Sequence, residues 1–116
     1  YRGKYVLLEF SASWCGWCKK EIPFIRNAYR TFKDVVFVTV MMDDDREAWL
    51  NEIRESGMEW LSLSDLKGMK KSPMTAAYNL NGVPVSFLLS PEGIILARDL
   101  RGAEVENSIR HFLGSK

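Results

Sequence analysis

Apolar and polar positions change their period along this chain in a way that separates strands from helices. Tyr5 to Phe10 is a short apolar run of strand formers, and the small and polar residues Ser11 to Gly16 end it. From Cys18 to Phe32 the residues Ile22, Ile25, Tyr29 and Phe32 recur at spacings of three and four, the stripe of an amphipathic helix, in which Pro23 predicts a kink. Val35 to Met42 is apolar and β-branched throughout most of its length, as a strand buried on both faces of a parallel sheet requires. Asp44, followed three residues on by Glu47, predicts the cap of a helix that carries Trp49, Leu50 and Ile53 and closes near Gly57. Between Met58 and Lys71 the pattern is weak and predicts a loop with a brief strand. Ser72-Pro73 opens a short helix running to about Asn79. Val85 to Leu89 and Ile94 to Arg98 read as a hairpin turned at Ser90-Pro91-Glu92-Gly93. Gly102 precedes a closing helix, Ala103 to Leu113, with Val105, Ile109, Phe112 and Leu113 inward.

Strands that alternate with helices predict an α/β fold, with a central parallel sheet covered by helices on both faces and made mixed by the terminal hairpin. At 116 residues the chain is the size of one domain, taken here as 1–116, with enough length to bury a core without staples. The 16 basic and 15 acidic residues are intermixed and leave a net charge of +1, so no basic stripe marks a nucleic-acid surface. No apolar run approaches the roughly 20 residues that span a bilayer. The start at Tyr1 rather than Met reads as trimmed, leaving room ahead of it for an export signal, a membrane anchor or another domain.

The two cysteines, Cys15 and Cys18, sit in one local motif, which marks a site rather than a disulfide scaffold. At the start of a helix this spacing puts both side chains on one face, about 5–6 Å apart, close enough to form a disulfide. Cys15, at or just before the helix start, meets free backbone N–H groups and the positive end of the helix dipole, which favour a thiolate. Cys15 is therefore the expected nucleophile, and Cys18 the thiol that resolves the mixed disulfide. Glu9 lies on the strand before the motif, where a carboxylate is unexpected. Buried near Cys18 it would hold a raised pKa and accept that thiol's proton; the plain alternative is an outward-facing strand charge. A zinc site would want four ligands, and the one histidine, His111, lies in the terminal helix and reads as a surface or half-buried residue. A thiol peroxidase and a soft-metal chaperone using Cys15 and Cys18 are the rival readings. Trp49 and Trp60 read as packing residues, whereas Trp14 and Trp17 flank Cys15 and must lie close to any substrate.

The segment Leu8-Glu9-Phe10-Ser11-Ala12-Ser13-Trp14-Cys15-Gly16-Trp17-Cys18-Lys19-Lys20-Glu21-Ile22-Pro23 closely resembles the active-site segment of thioredoxin-like proteins, specifically the TlpA/ResA group. Asp43-Asp44-Asp45-Arg46-Glu47-Ala48-Trp49 resembles the group's segment after the central strand. Tyr78-Asn79-Leu80-Asn81-Gly82-Val83-Pro84, followed by Phe87-Leu88-Leu89, resembles its cis-proline loop and the strand after it.

The resemblance implies a thioredoxin fold lacking the family's N-terminal hairpin, with a cis peptide at Pro84 and a Val83 backbone offered to an extended substrate. Without it, Pro84 would read as a strand-start proline. Pro23 matches the helix-kinking proline, and Glu9 falls where relatives place a buried acidic or amide residue. The implied activity is thiol:disulfide exchange with protein substrates, by a monomer that needs no cofactor or metal and is recharged by a separate electron-donor protein. Reduction outside the cytoplasm, with a possible membrane tether, is the implied setting. Trp14, Gly16, Trp17, Val83 and Pro84 would form the substrate rim. Trp17 departs from the group, many members of which have proline between the cysteines, so the group's usual potential does not carry over. An oxidant or isomerase is the alternative.

Overall fold

A computed structural model describes residues 3–78, 80 and 82–113. The elements, in chain order, are β1 (Tyr5–Ser11), α1 (Gly16–Thr31), β2 (Val35–Met41), α2 (Arg46–Ser56), β3 (Leu61–Leu63), α3 (Gly68–Lys71), α4 (Pro73–Ala77), β4 (Val85–Leu89), β5 (Ile95–Ala97) and α5 (Ala103–Leu113). The strands form one sheet in the order β3-β2-β1-β4-β5. β1, β2 and β3 run parallel, while β4 runs antiparallel to β1 and pairs with β5 as a hairpin. The expected mixed sheet is thus present, with β1 and β2 at its centre as their apolar runs require.

The sheet's two faces carry separate cores. Leu7, Phe37 and Leu88 point to one face, where Ile22, Ile25 and Ala28 of α1 and Val105 and Ile109 of α5 cover them. Leu8, Phe10, Val38, Val40 and Phe87 point to the other face, against Met69 of α3, Met74 of α4, Tyr78 and Leu80. The alternation follows from the two-residue period of a strand. α1 runs through Pro23 as one helix. Its interior proline falls on the exposed side, away from the core.

Several expectations are corrected. The helix cap before α2 is Asp45, not Asp44: Asp45 accepts the Glu47 N–H at 3.2 Å, because the helix begins at Arg46 and a cap bonds two or three residues ahead. Asp44 instead lies against Gly68. Gly57 does close α2, at a φ of 66°, a left-handed conformation that favours glycine. Phe112 is exposed rather than inward. Leu113, four residues after Ile109, packs on the core instead, and Phe112 stands over a recess beside Tyr5 and Phe32. The weak stretch after Met58 holds the brief strand β3 and also a four-residue helix, α3, that its sequence did not signal. Ser72 caps α4 by accepting the Met74 N–H at 3.2 Å; the expected end of that helix at Asn79 lies outside the described residues.

Candidate active site

β1 ends at Ser11, and the loop that follows must turn the chain from the sheet into α1. Three hydrogen bonds fix that turn. The Ser11 carbonyl accepts the Met42 N–H at 2.7 Å, and the Asp43 carboxylate accepts the Ser13 N–H at 3.0 Å and the Ser13 hydroxyl. Asp43 is almost fully buried, so both Ser13 donors and both carboxylate oxygens are satisfied without water. Replacing Asp43 by Ala leaves the two donors unpaired and is expected to lower the unfolding free energy by about 2 kcal/mol, read from urea denaturation.

Held in this way, Cys15 is the N-cap of α1, with extended backbone at φ −100°. Its Sγ accepts the Cys18 N–H at 3.1 Å and lies 3.5 Å from the Val83 carbonyl oxygen. Cys15 and Cys18 form a disulfide with Cα atoms 5.2 Å apart, within the ordinary range. The first turn of α1 contains no acidic side chain of its own to offset the helix's positive end beside Cys15. Cys15 is 7% exposed and Cys18 1%, and both pack with Ala12 and Val83.

The Val83–Pro84 peptide is cis. Pro84 is buried and Val83 half-buried beside the sulfurs, while Gly16 lies exposed between them. Trp14 and Trp17 are 61% and 68% exposed, with Lys20 stacked over the Trp17 ring at 4.5 Å. A shallow groove of about 370 Å³ leads away from the pair, lined by Trp17, Lys20, Glu21, Phe24, Pro84 and Arg101. Glu21 ties its far wall, accepting the Gly102 N–H at 2.8 and 3.1 Å. The larger recess beside Tyr5 and Phe112 lies at the opposite end of β1 from the cysteines.

Glu9 is buried in β1, not outward-facing. It points to the same face as Leu7, the face that α1 covers. Its Oε1 accepts the Thr39 hydroxyl at 2.9 Å, and Thr39 in turn accepts the Trp60 indole N–H at 2.7 Å. Burial pushes its pKa from 4.5 up to about 7; the Thr39 bond pulls against that shift and the charge of Glu21 adds to it. Asp43 and Thr39 were not singled out by the sequence, although Thr39 is a polar break in an apolar strand. Aligning the two runs from Tyr5 and Val35 pairs it with Glu9. His111 is exposed on α5. Among the described residues no group of three or more His, Cys, Asp and Glu side chains is placed to hold a metal ion.

The chain is 30% identical over 114 residues to the thiol-disulfide oxidoreductase ResA of Bacillus subtilis, covering 97% of this chain and 61% of that relative's length. Among solved structures, the thioredoxin domain of a thiol-disulfide oxidoreductase from Bacteroides vulgatus is similar at a TM-score of 0.88 and 32% identity, covering 97% of this chain and 81% of that one. A putative thiol:disulfide interchange protein DsbE from Chlorobium tepidum is similar at a TM-score of 0.82 and 27% identity, with coverage of 96% and 79%. The sheet order and flanking helices are those of the thioredoxin fold. A family model described as thioredoxin-like matches residues 3–95, and the chain belongs to that family.

Proposed function

We propose that this chain is a thiol:disulfide oxidoreductase that reduces disulfides in protein substrates through Cys15 and Cys18. The observation that carries this reading is the sulfur pair at the N-terminus of α1, whose first turn has no acidic side chain and where Cys15 caps the helix beside an exposed aromatic rim. In the reduced protein the Cys15 thiolate attacks one sulfur of a substrate disulfide. The substrate's S–S bond breaks, one substrate sulfur leaves as a thiolate that takes up a proton, and the other is held to Cys15. Cys18 then gives its proton to Glu9 and attacks Cys15 Sγ; the bond from Cys15 to the substrate breaks, the second substrate sulfur leaves as a thiolate that takes up a proton, and the Cys15–Cys18 disulfide closes. Two electrons pass to the substrate, and a separate electron-donor protein must return them.

Glu9 suits this role because its pKa near 7 lets it accept a proton and lose it again at neutral pH. Trp14, Gly16, Trp17, Val83 and Pro84 form the docking rim, with the Val83 backbone beside an extended substrate strand. The resemblance to the TlpA/ResA group supports action outside the cytoplasm; no helix among the described residues is long and apolar enough to cross a membrane. The test is insulin reduction by the purified chain with dithiothreitol as electron source. Catalysed precipitation of the insulin B chain is expected, and a rate equal to dithiothreitol alone would overturn the reading.

A further inference from the structure

Three buried residues form a hydrogen-bonded line with a fixed direction. Glu9 and Thr39 stand opposite each other on β1 and β2, and Trp60 reaches in from just before β3. An indole nitrogen can only donate, so the 2.7 Å contact gives the Trp60 hydrogen to Thr39 Oγ1. A hydroxyl has a single hydrogen, and with one lone pair taken by Trp60 that hydrogen is aimed at Glu9 Oε1, 2.9 Å away. Oε1 is thereby held as an acceptor. Oε2 is buried and has no hydrogen-bond partner among the described residues. An orphaned buried oxygen of this kind calls for an explanation, and a site that carries a proton for part of a reaction cycle supplies one.

We propose that Thr39, oriented by Trp60, is a positioning residue that keeps Oε1 of Glu9 as acceptor and assigns the travelling proton to Oε2. This rests on the proposed role of Glu9 as proton acceptor for Cys18. The surroundings leave few competitors for that proton. α1 brings the charged Glu21 within electrostatic reach of Glu9, β4 places the neutral Ser86 opposite it, and α5 contributes the apolar Val105 and Ile109 to the same face. Without the Thr39 hydroxyl, the Glu9 carboxylate loses the one hydrogen bond it receives among the described residues, and its neutral form gains.

The experiment follows the Glu9 carboxyl by carbon NMR through a pH titration of the oxidised protein, in which neither cysteine titrates, alongside the pH profile of insulin reduction. Thr39→Val is expected to raise the Glu9 titration by about one pH unit or more, and to move the profile the same way. Thr39→Ser, which restores the hydroxyl, returns both to the wild-type position. Trp60→Phe leaves Glu9 and Thr39 in place and shifts the titration upward by less, so the test stands even if the valine variant folds poorly. An unmoved titration in the folded Thr39→Val protein, or in Trp60→Phe where the valine variant does not fold, overturns the proposal. A titration that moves while the turnover profile stays fixed overturns the positioning role. Loss of turnover in the wild type would overturn the proposed function instead, and the titration would still report on the Thr39–Glu9 link.

Discussion

Replacing Cys15 by Ser is expected to bring insulin reduction down to the uncatalysed rate, while replacing Cys18 by Ser is expected to trap a mixed disulfide with substrate on Cys15. The two outcomes differ because the sulfurs have different surroundings. Cys15 receives the Cys18 N–H and sits at a helix end with no acidic side chain in its first turn, so its thiolate is favoured. A thiol near 8.5 is only a few per cent ionised at neutral pH, and lowering it to about 7 makes it roughly half thiolate. A serine hydroxyl ionises far above this range and cannot replace it. Serine is nonetheless a good N-cap, so the start of α1 is expected to persist and the loss to be chemical. Cys18 is more deeply buried than Cys15 and out of a substrate's reach, so its removal spares the first attack and blocks the second. Mass spectrometry of the Cys18→Ser protein after mixing with oxidised substrate should show one substrate thiol per chain. Trapping on Cys18 in the Cys15→Ser protein would reverse the assignment.

The second large effect is a pH-dependent stability carried by Glu9. Its folded pKa of about 7 lies above the unfolded value of 4.5, so between these pH values the folded state keeps a proton that the unfolded state releases. Stability from this group is therefore fully present below about pH 4.5, falls as pH rises through 7, and levels off above. The difference in pKa corresponds to about 3 kcal/mol across that window. Glu9→Gln mimics the neutral carboxyl and removes the dependence. Urea denaturation of both oxidised proteins from pH 4.5 to 8.5 is expected to show the wild type losing about 3 kcal/mol relative to the variant. Parallel curves would mean that Glu9 titrates normally.

Much of this was legible in the chain because the central elements are governed by local pattern. The apolar runs of β1 and β2 mark strands buried on both faces, and Ser90 to Gly93 mark the hairpin with turn chemistry. The cysteine pair announced itself by spacing and by its place between a strand and a helix. The peripheral elements were hidden for physical reasons. β3 is a three-residue edge strand whose Leu61 and Leu63 are exposed, so it lacks the pattern that burial imposes. α3 has four residues and no side-chain cap, too little to leave a signature. The supports of the site are tertiary: Ser13 to Asp43 and Glu9 to Thr39 each join residues 30 apart, the offset at which β1 and β2 align. A polar residue at the same place in two neighbouring apolar runs is the signal that could have found the second pair.

The most direct test of the account is the reduction potential of Cys15–Cys18, obtained by equilibrating the chain against dithiol and glutathione buffers and following tryptophan fluorescence. A reversible two-electron transition near the thioredoxin value of roughly −270 mV is the expected result, and it would establish a pair poised to reduce protein disulfides. A potential near −120 mV would make the chain a disulfide donor and contradict the proposed direction, and the absence of any reversible transition would contradict thiol:disulfide exchange itself.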